Sequence, residues 1–332
     1  MIRQTSEILE YIWIGGDGEL RSKTRVFDYA LYGKDGIPEW NYDGSSTNQA
    51  PSDGNTEVIL RPCANFKDPF RIVDKHRCML VLCDTYDNDG NPLPTNHRKN
   101  ALTIFKNIGG NTGCWFGLEQ EYFIKFNDKP FLPVNDGSHY CGFTNKLERK
   151  IVEEHLQACI SIGLDISGIN SEVASGQWEF QIGPSQDINA ADQLIVARYL
   201  LQRIAEKYDA TIDYSPKPSE TANGSGCHIN FSTDKMREED GLTEIISCME
   251  KLERKHEQHI AVYGKDNHLR LTGLHETSSM DKFTWGIGTR NTSIRIPNLT
   301  QKDGAGYFED RRPAANIDPY LATSIIAETC CL

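Results

Sequence analysis

Residues 115–123 read WFGLEQEYF, and the fold turns on why Glu119 and Glu121 sit two apart in an otherwise apolar run. Read as a strand, the segment alternates. Both carboxylates then share one face, while Phe116, Leu118, Tyr122 and, just beyond, Ile124 share the other. At about 7 Å two such charges repel by roughly 2 kcal/mol at an effective dielectric near 20. Water or a cation has to offset that cost.

The pattern recurs along the chain. In GQWEFQIGP, Gln177, Glu179 and Gln181 share one face and Trp178, Phe180 and Ile182 the other. GCHINFS sets His228, Asn230 and Ser232 against Ile229 and Phe231, and GYFEDRRP sets Glu309 and Arg311 against Phe308 and Asp310. Taken singly, each is also what the exposed face of an antiparallel sheet looks like. Taken together, they predict a curved antiparallel sheet backed by helices, whose concave polar face lines a cavity.

The hard ligands on these faces are Glu119, Glu121, Glu179, His228 and Glu309, with Glu172 seven residues before Glu179. Five carboxylates and one imidazole suit two or more Mg²⁺ or Mn²⁺ ions better than zinc. Arg270, Arg290, Arg295 and Arg311 all fall in the last quarter, and guanidinium groups suit phosphate or carboxylate. Cations for phosphates and arginines for anions point to ATP plus an acidic substrate. GIGTRN lacks the third glycine of a dinucleotide fingerprint and no P-loop pattern occurs, so the nucleotide is not expected on either motif.

Around these strands the chain of 332 residues suggests about two domains. With 35 basic against 47 acidic residues, net −12, a general nucleic-acid or anionic-membrane binder is not expected. MIRQTSEILEYIW carries no apolar signal core, and ten scattered cysteines without zinc spacing read as free thiols, so a cytoplasmic protein is expected. EYIWI, TRVFDYAL, EVILRP and CMLVLCDTY read as strands, and the polar 40–56 as a long connection. DNDGNPLPTN, 87–96, is the expected linker. Helices are predicted for NHRKNALTIFKNI, ERKIVEEHLQACISIG (stopped at Gly163), AADQLIVARYLLQRIAEKY and LTEIISCMEKLERKHEQHIAVY. His256 and His259, in the last of these, read as solvent-side residues rather than ligands.

These motifs, in order, are recognisable. YIWI, TRVFDYAL, WNYDGSST, FGLEQEY, NSEV, QWEFQIGP, GSGCHINFS, RLTGLHE, SIRIP and YFEDRRPAAN resemble glutamine synthetase of the eukaryotic type over nearly the whole chain. The resemblance implies an α+β fold: a small N-terminal β-grasp domain at 1–86, then a larger catalytic domain at 87–332 built as a partial barrel. It implies ATP-dependent joining of glutamate and ammonia to glutamine through a γ-glutamyl phosphate. By motif, Glu121, Glu172 and Glu179 would hold one metal, and Glu119, His228 and Glu309 another, with two or three Mg²⁺ or Mn²⁺ per site. Asn223, Gly224, Arg270 and Arg311 would bind glutamate. Arg290 and Arg295 would meet the transferring phosphate, and Asn230, Phe231, Ser232, Tyr307 and Phe308 would lie along the nucleotide. Asp43 would bind ammonium and Glu276 would belong to a closing flap.

The family also implies a homo-oligomer with active sites at subunit interfaces, two stacked pentameric rings, and no nucleic acid or membrane partner. Two rivals are a γ-glutamyl ligase taking an organic amine, which would call for an altered ammonium pocket, and a noncatalytic structural relative, which should have lost ligands. The chain departs from its relatives in IGGDGEL, in an abbreviated segment after EQEYF and in a short start. None of these touches a residue named above.

Overall fold

The N-terminal alternation becomes a five-stranded sheet. The computed structural model describes residues 6–28, 36–74, 76–109, 112–128, 131, 133, 137–143, 146–220, 222–274 and 277–332. Strand β1 (Ser6–Ile14) pairs antiparallel with β2 (Leu20–Asp28) and parallel with β5 (Arg77–Tyr86). β5 pairs with β4 (Glu57–Lys67), and β4 with β3 (Trp40–Asp43), both antiparallel. Leu9, Tyr11 and Trp13, two apart on central β1, bury one face of the sheet against Val58, Leu60 and Val81. The stretch 40–56, expected as connection throughout, instead opens as β3 and one 3-10 turn, Gly44–Thr47. The chain divides into two compact units, 1–100 with 161–163, and 101–160 with 164–332.

The second unit holds β6 (Trp115–Phe126), β7 (Ile166–Ser171), β8 (Gln177–Gln186), β9 (Ala210–Asp213), β10 (Cys227–Ser232), β11 (Trp285–Ile287), β12 (Ile294–Ile296) and β13 (Phe308–Asp310). Their order is β11-β12-β13-β10-β6-β8-β7, with β9 on the far end of β6. Pairing is antiparallel except between β11 and β12, which run parallel and so depart from the expected all-antiparallel sheet. Register shifts between Phe116 and Leu118 and between Ile166 and Gly168 add local twist, and the sheet curls into a partial barrel.

The helices are α1 (His97–Ile108), α2 (Lys146–Ser161), α3 (Ile188–Glu206), α4 (Asp234–Arg237), α5 (Gly241–Arg254), α6 (His256–Val262), α7 (Asn298–Asp303) and α8 (Pro319–Cys331). Buried α3 packs on β6, β8, β9 and α8. Asp318 starts α8 by accepting the Tyr320 N–H at 2.8 Å, with Pro319 in the first turn. The fold is α+β. No helix among the described residues is long and apolar enough to cross a membrane.

Three further features differ from expectation. LTEIISCMEKLERKHEQHIAVY is two helices, broken at Lys255. The back of β6 is not wholly apolar: Gln120 is fully buried and accepts the Arg198 Nε–H at 2.8 Å. Arg198 also donates to the Ala315 and Ile317 carbonyls, so one guanidinium ties β6, α3 and the segment after β13 together. His256 and His259 are buried, not solvent-side. They pack on Asp310 and Arg312, a fully buried pair at 2.7 Å, with Arg312 Nη1 3.0 Å from His256 Nδ1. Tyr263 donates to Asp310, and its oxygen lies 2.7 Å from His259 Nδ1. Burial, then Arg312, push the His259 imidazole down to about 3, so it stays neutral and acts through hydrogen bonds.

Candidate active site

Pairing register brings the acidic positions together. Glu119 lies opposite His228 across β6 and β10, and Arg295 opposite Glu309 across β12 and β13. Glu121 lies directly opposite Glu179 across β6 and β8, which places like charges in one cross-strand pair. Glu172 follows the last residue of β7. Its N–H bonds the Gln177 carbonyl at 2.9 Å, so the short connection between β7 and β8 returns it beside Glu179. Gly176, at φ +81, makes that return possible.

Two groups of three ligands result, Glu119, His228 and Glu309, and Glu121, Glu172 and Glu179. In each, one atom per residue lies within 4.8 Å of the others. The first group is held by cations. Glu309 takes Arg311 Nη1 at 2.5 Å and Arg295 Nη1 at 3.5 Å, while His228 Nδ1 stands 3.4 Å from Glu309 and 3.5 Å from Glu119. Arg270 Nη2 reaches His228 Nε2 at 2.9 Å and also donates to the Arg311 carbonyl. Burial, then Arg311, hold the His228 imidazole well below its usual range, so the ring is neutral and fit to be a ligand. Burial brings the Arg270 guanidinium down to about 10.

In the second group the hydrogen-bond donors among the described residues are neutral, while Arg270 and Arg311 act on Glu121 and Arg290 on Glu172 through their charge. Glu121 accepts the Gly226 N–H at 2.7 Å, Glu172 accepts Asn170 Nδ2 at 3.0 Å, and Glu179 accepts Gln181 Nε2. Burial, then Glu172, push Glu121 up to about 8. Burial, then Glu121, push Glu179 up to about 9, and burial raises Glu172. Two full charges at about 4.8 Å repel by about 3 kcal/mol at an effective dielectric near 20. The three cannot all ionise unaided, and an all-oxygen donor set of this charge fits a hard divalent cation.

Both groups face one cavity of about 410 Å³, which Asn223, Gly224, Arg270, Arg290, Arg295 and Arg311 also line. The Arg295 Nε is buried without a hydrogen-bond partner among the described residues, a donor left for an anion. An adjoining apolar cavity of about 410 Å³ is walled by Trp115, Phe116, Leu118, Ile182, Pro184, Phe231 and Ser232. Glu119, Asn230 and Tyr307 belong to both walls. Phe308 lines neither. Its fully buried ring packs behind the sheet, 5.6 Å from the Phe231 ring. Asp43 lies in the N-terminal unit, exposed, where Ser45 and Thr56 hydrogen bonds hold its carboxyl below the usual range. Glu276 lies outside the described residues.

Several lining residues were not read from the sequence. Asn170 on β7 orients Glu172 and also bonds Gln181, and ISGINS, which mixes polar and apolar residues on both faces, carries no alternation to signal it. Tyr140, Cys141 and Thr277 line the acidic cavity from irregular segments with no periodic signal. Trp115 and Arg237 line the apolar one, with the guanidinium 4.1 Å over the indole.

A family profile described as glutamine synthetase, catalytic domain, matches residues 97–261. A protein of Acanthamoeba polyphaga mimivirus is 54% identical over 335 residues, covering 98% of this chain and 94% of that protein. The chain belongs to the glutamine synthetase family. Glutamine synthetase cytosolic isozyme 2 of Glycine max is 49% identical, covering 97% of this chain and 93% of the relative. Glutamine synthetase of Saccharomyces cerevisiae is 48% identical, covering 98% and 89%. Against these glutamine synthetases the similarity spans both compact units, so the acidic cavity sits in a chain that is family-like nearly throughout.

Proposed function

We propose that this chain is an ATP-dependent glutamate–ammonia ligase that makes glutamine and releases ADP and phosphate. The observation that carries the reading is the single cavity in which two ligand triplets face arginines, with an apolar cavity of nucleoside size beside it. Glutamate's γ-carboxylate is a poor acyl donor, because its oxygen is a bad leaving group. Transfer of the γ-phosphoryl of ATP to that carboxylate gives an acyl phosphate, from which phosphate leaves as ammonia attacks the carbonyl carbon.

In this reading Glu121, Glu172 and Glu179 hold one Mg²⁺ or Mn²⁺, and Glu119, His228 and Glu309 another. Such ions, when bound, neutralise phosphate charge during phosphoryl transfer. The protein's own groups do the rest. Trp115, Phe231, Ser232 and Tyr307 seat the nucleoside, with Asn230 at the junction of the two cavities. Arg295, with an unpaired Nε, and Arg290 stabilise the transferring phosphoryl group. Arg270 and Arg311, with Asn223 and Gly224, orient glutamate, and Arg270 also fixes His228. Asp43 binds ammonium, and Glu276 belongs to a flap that keeps water from the acyl phosphate.

The proposed assembly is a homo-oligomer of two stacked pentameric rings, in which Asp43 serves a neighbouring subunit's cavity. It rests on the family resemblance. A cytoplasmic location is proposed on the same ground, the Glycine max relative being named cytosolic. The test is an ADP-release assay on purified, metal-replete protein with glutamate, with and without ammonium. ADP and glutamine in equal amounts, dependent on ammonium, are expected. No glutamine, or faster turnover with ethylamine than with ammonium, would overturn the reading.

A further inference from the structure

The chemistry above uses none of the ten cysteines, all of which are free thiols. Two of them meet across 217 positions of sequence. Cys114, immediately before β6, and Cys331, in the last turn of α8, have Sγ atoms 3.8 Å apart. Neighbours on a helix project about 100° apart, so the tandem Cys330 and Cys331 serve different partners. Cys330 is buried and hydrogen-bonded to Cys248 of α5, whereas Cys331 turns to Cys114 and stays half-buried.

We propose that Cys114 and Cys331 are a reversible disulfide site, closed by a peroxide-class oxidant. The sulfurs need to approach from 3.8 Å to about 2.05 Å, a shift that the last turn of a helix can supply. That turn is held by the Leu332 N–H to the Glu328 carbonyl at 3.1 Å. Access favours attack at Cys331, since Cys114 is fully buried. Either thiol can donate to the other sulfur, so the remaining S–H stabilises the first thiolate formed. The shared hydrogen bond lowers the Cys114 thiol and raises that of Cys331, and burial raises both. Arg237 beside Cys114 and Lys251 beside Cys331 favour an anion on the pair, and Asp187 opposes it. The pair thus gives up one proton, and access decides that Cys331 is the sulfur that meets the oxidant.

The Cys331 thiolate attacks one peroxide oxygen, the O–O bond breaks, and the departing hydroxide takes a proton to leave as water. The resulting sulfenic acid loses its hydroxyl as a second water when the Cys114 sulfur attacks, its thiol proton leaving with that hydroxyl. Two thiols and one hydrogen peroxide thus give one disulfide and two waters. The bond ties α8 to the entry of β6, one residue before Trp115.

The experiment treats the full-length protein with hydrogen peroxide, blocks remaining thiols, and maps peptides without reduction. Expected are a linked Cys114–Cys331 peptide two hydrogens lighter than its reduced parts, a loss of two thiols per chain, and a rise in Tm of about 5 °C. Dithiothreitol should reverse all three. Cys331→Ser should keep the reduced protein's Tm and show neither link nor rise. A Cys248–Cys330 link in its place, links between chains, or Cys331 overoxidised without a partner would overturn the proposal. The wild-type peptide map decides the matter even if the variant does not fold.

Discussion

The two ligand triplets share one cavity and nearly one geometry, yet their charges are balanced in opposite ways. Around Glu119, His228 and Glu309, positive groups are built in: Arg295 and Arg311 contact Glu309, and a neutral imidazole separates the carboxylates. Around Glu121, Glu172 and Glu179 the hydrogen-bond donors among the described residues are amides, and burial with mutual repulsion, outweighing Arg270 and Arg311, drives Glu121 to about 8 and Glu179 to about 9. The first triplet is at rest without an ion, whereas the second is strained until one arrives. A site can therefore present similar ligands and still place the stability cost of function on one side alone.

The comparison breaks most visibly with paired substitutions. Glu179→Gln should lower glutamine formation by about 10³-fold or more. It should also raise the Tm of metal-free protein by a few degrees, because the folded chain no longer has to hold a proton on a buried carboxyl that ionises when unfolded. Glu309→Gln should also abolish turnover but destabilise metal-free protein by about 2 kcal/mol, since Arg295 and Arg311 lose their counter-charge. Equal Tm shifts of one sign in calorimetry would erase the distinction.

Metal removal comes next in size. A chelator should lower the Tm, and Mg²⁺ at 100 times its dissociation constant should restore about 2.7 kcal/mol. In Glu179→Gln that gain should shrink to a fraction. A full gain in the variant would place the tighter ion at the other triplet.

A pH series sharpens the same contrast. Unfolded glutamates titrate near 4.3, whereas folded Glu121 and Glu179 hold their protons to about 8 and about 9. Between those values the metal-free folded chain binds more protons than the unfolded one, so its stability falls as pH rises from 5 to 9. Cation affinity should rise over the same interval, because binding displaces those protons. A flat metal-free Tm across that interval would remove the strain argument.

The smallest effect concerns Phe308, which the family motif puts beside the nucleotide but whose ring packs behind β13. Phe308→Leu should cost about 1 kcal/mol of stability and leave the KM for ATP within about twofold. A tenfold rise in that KM would return the residue to the binding wall.

What could be read from the sequence was whatever has period two. The polar faces at Glu119 and Glu121, at Glu179 and at His228 follow from alternation, and so does the apolar core behind them. Register is not periodic information. That Glu121 faces Glu179 squarely, while Glu119 faces His228, depends on the bulge near Gly117 and on turns whose lengths alone do not fix pairing. His256 and His259 were misread for a related reason. The local stretch KHEQHI is polar at all but its last position, and the partners that bond the two histidines, Arg312 and Thr329, arrive from 53 to 70 positions away. Gln120 was invisible as a back-face residue until Arg198 of α3 supplied its partner.

The opposed pair Glu121 and Glu179 also bears on protein engineering. Selection for heat resistance alone, without a turnover requirement, would discard these glutamates among the first residues to change, since nearly any neutral side chain there relieves the sheet. Libraries screened on folding would thus drift toward sturdy, inert scaffolds. Only a screen that reads ligation would hold the chain at its useful, less durable optimum.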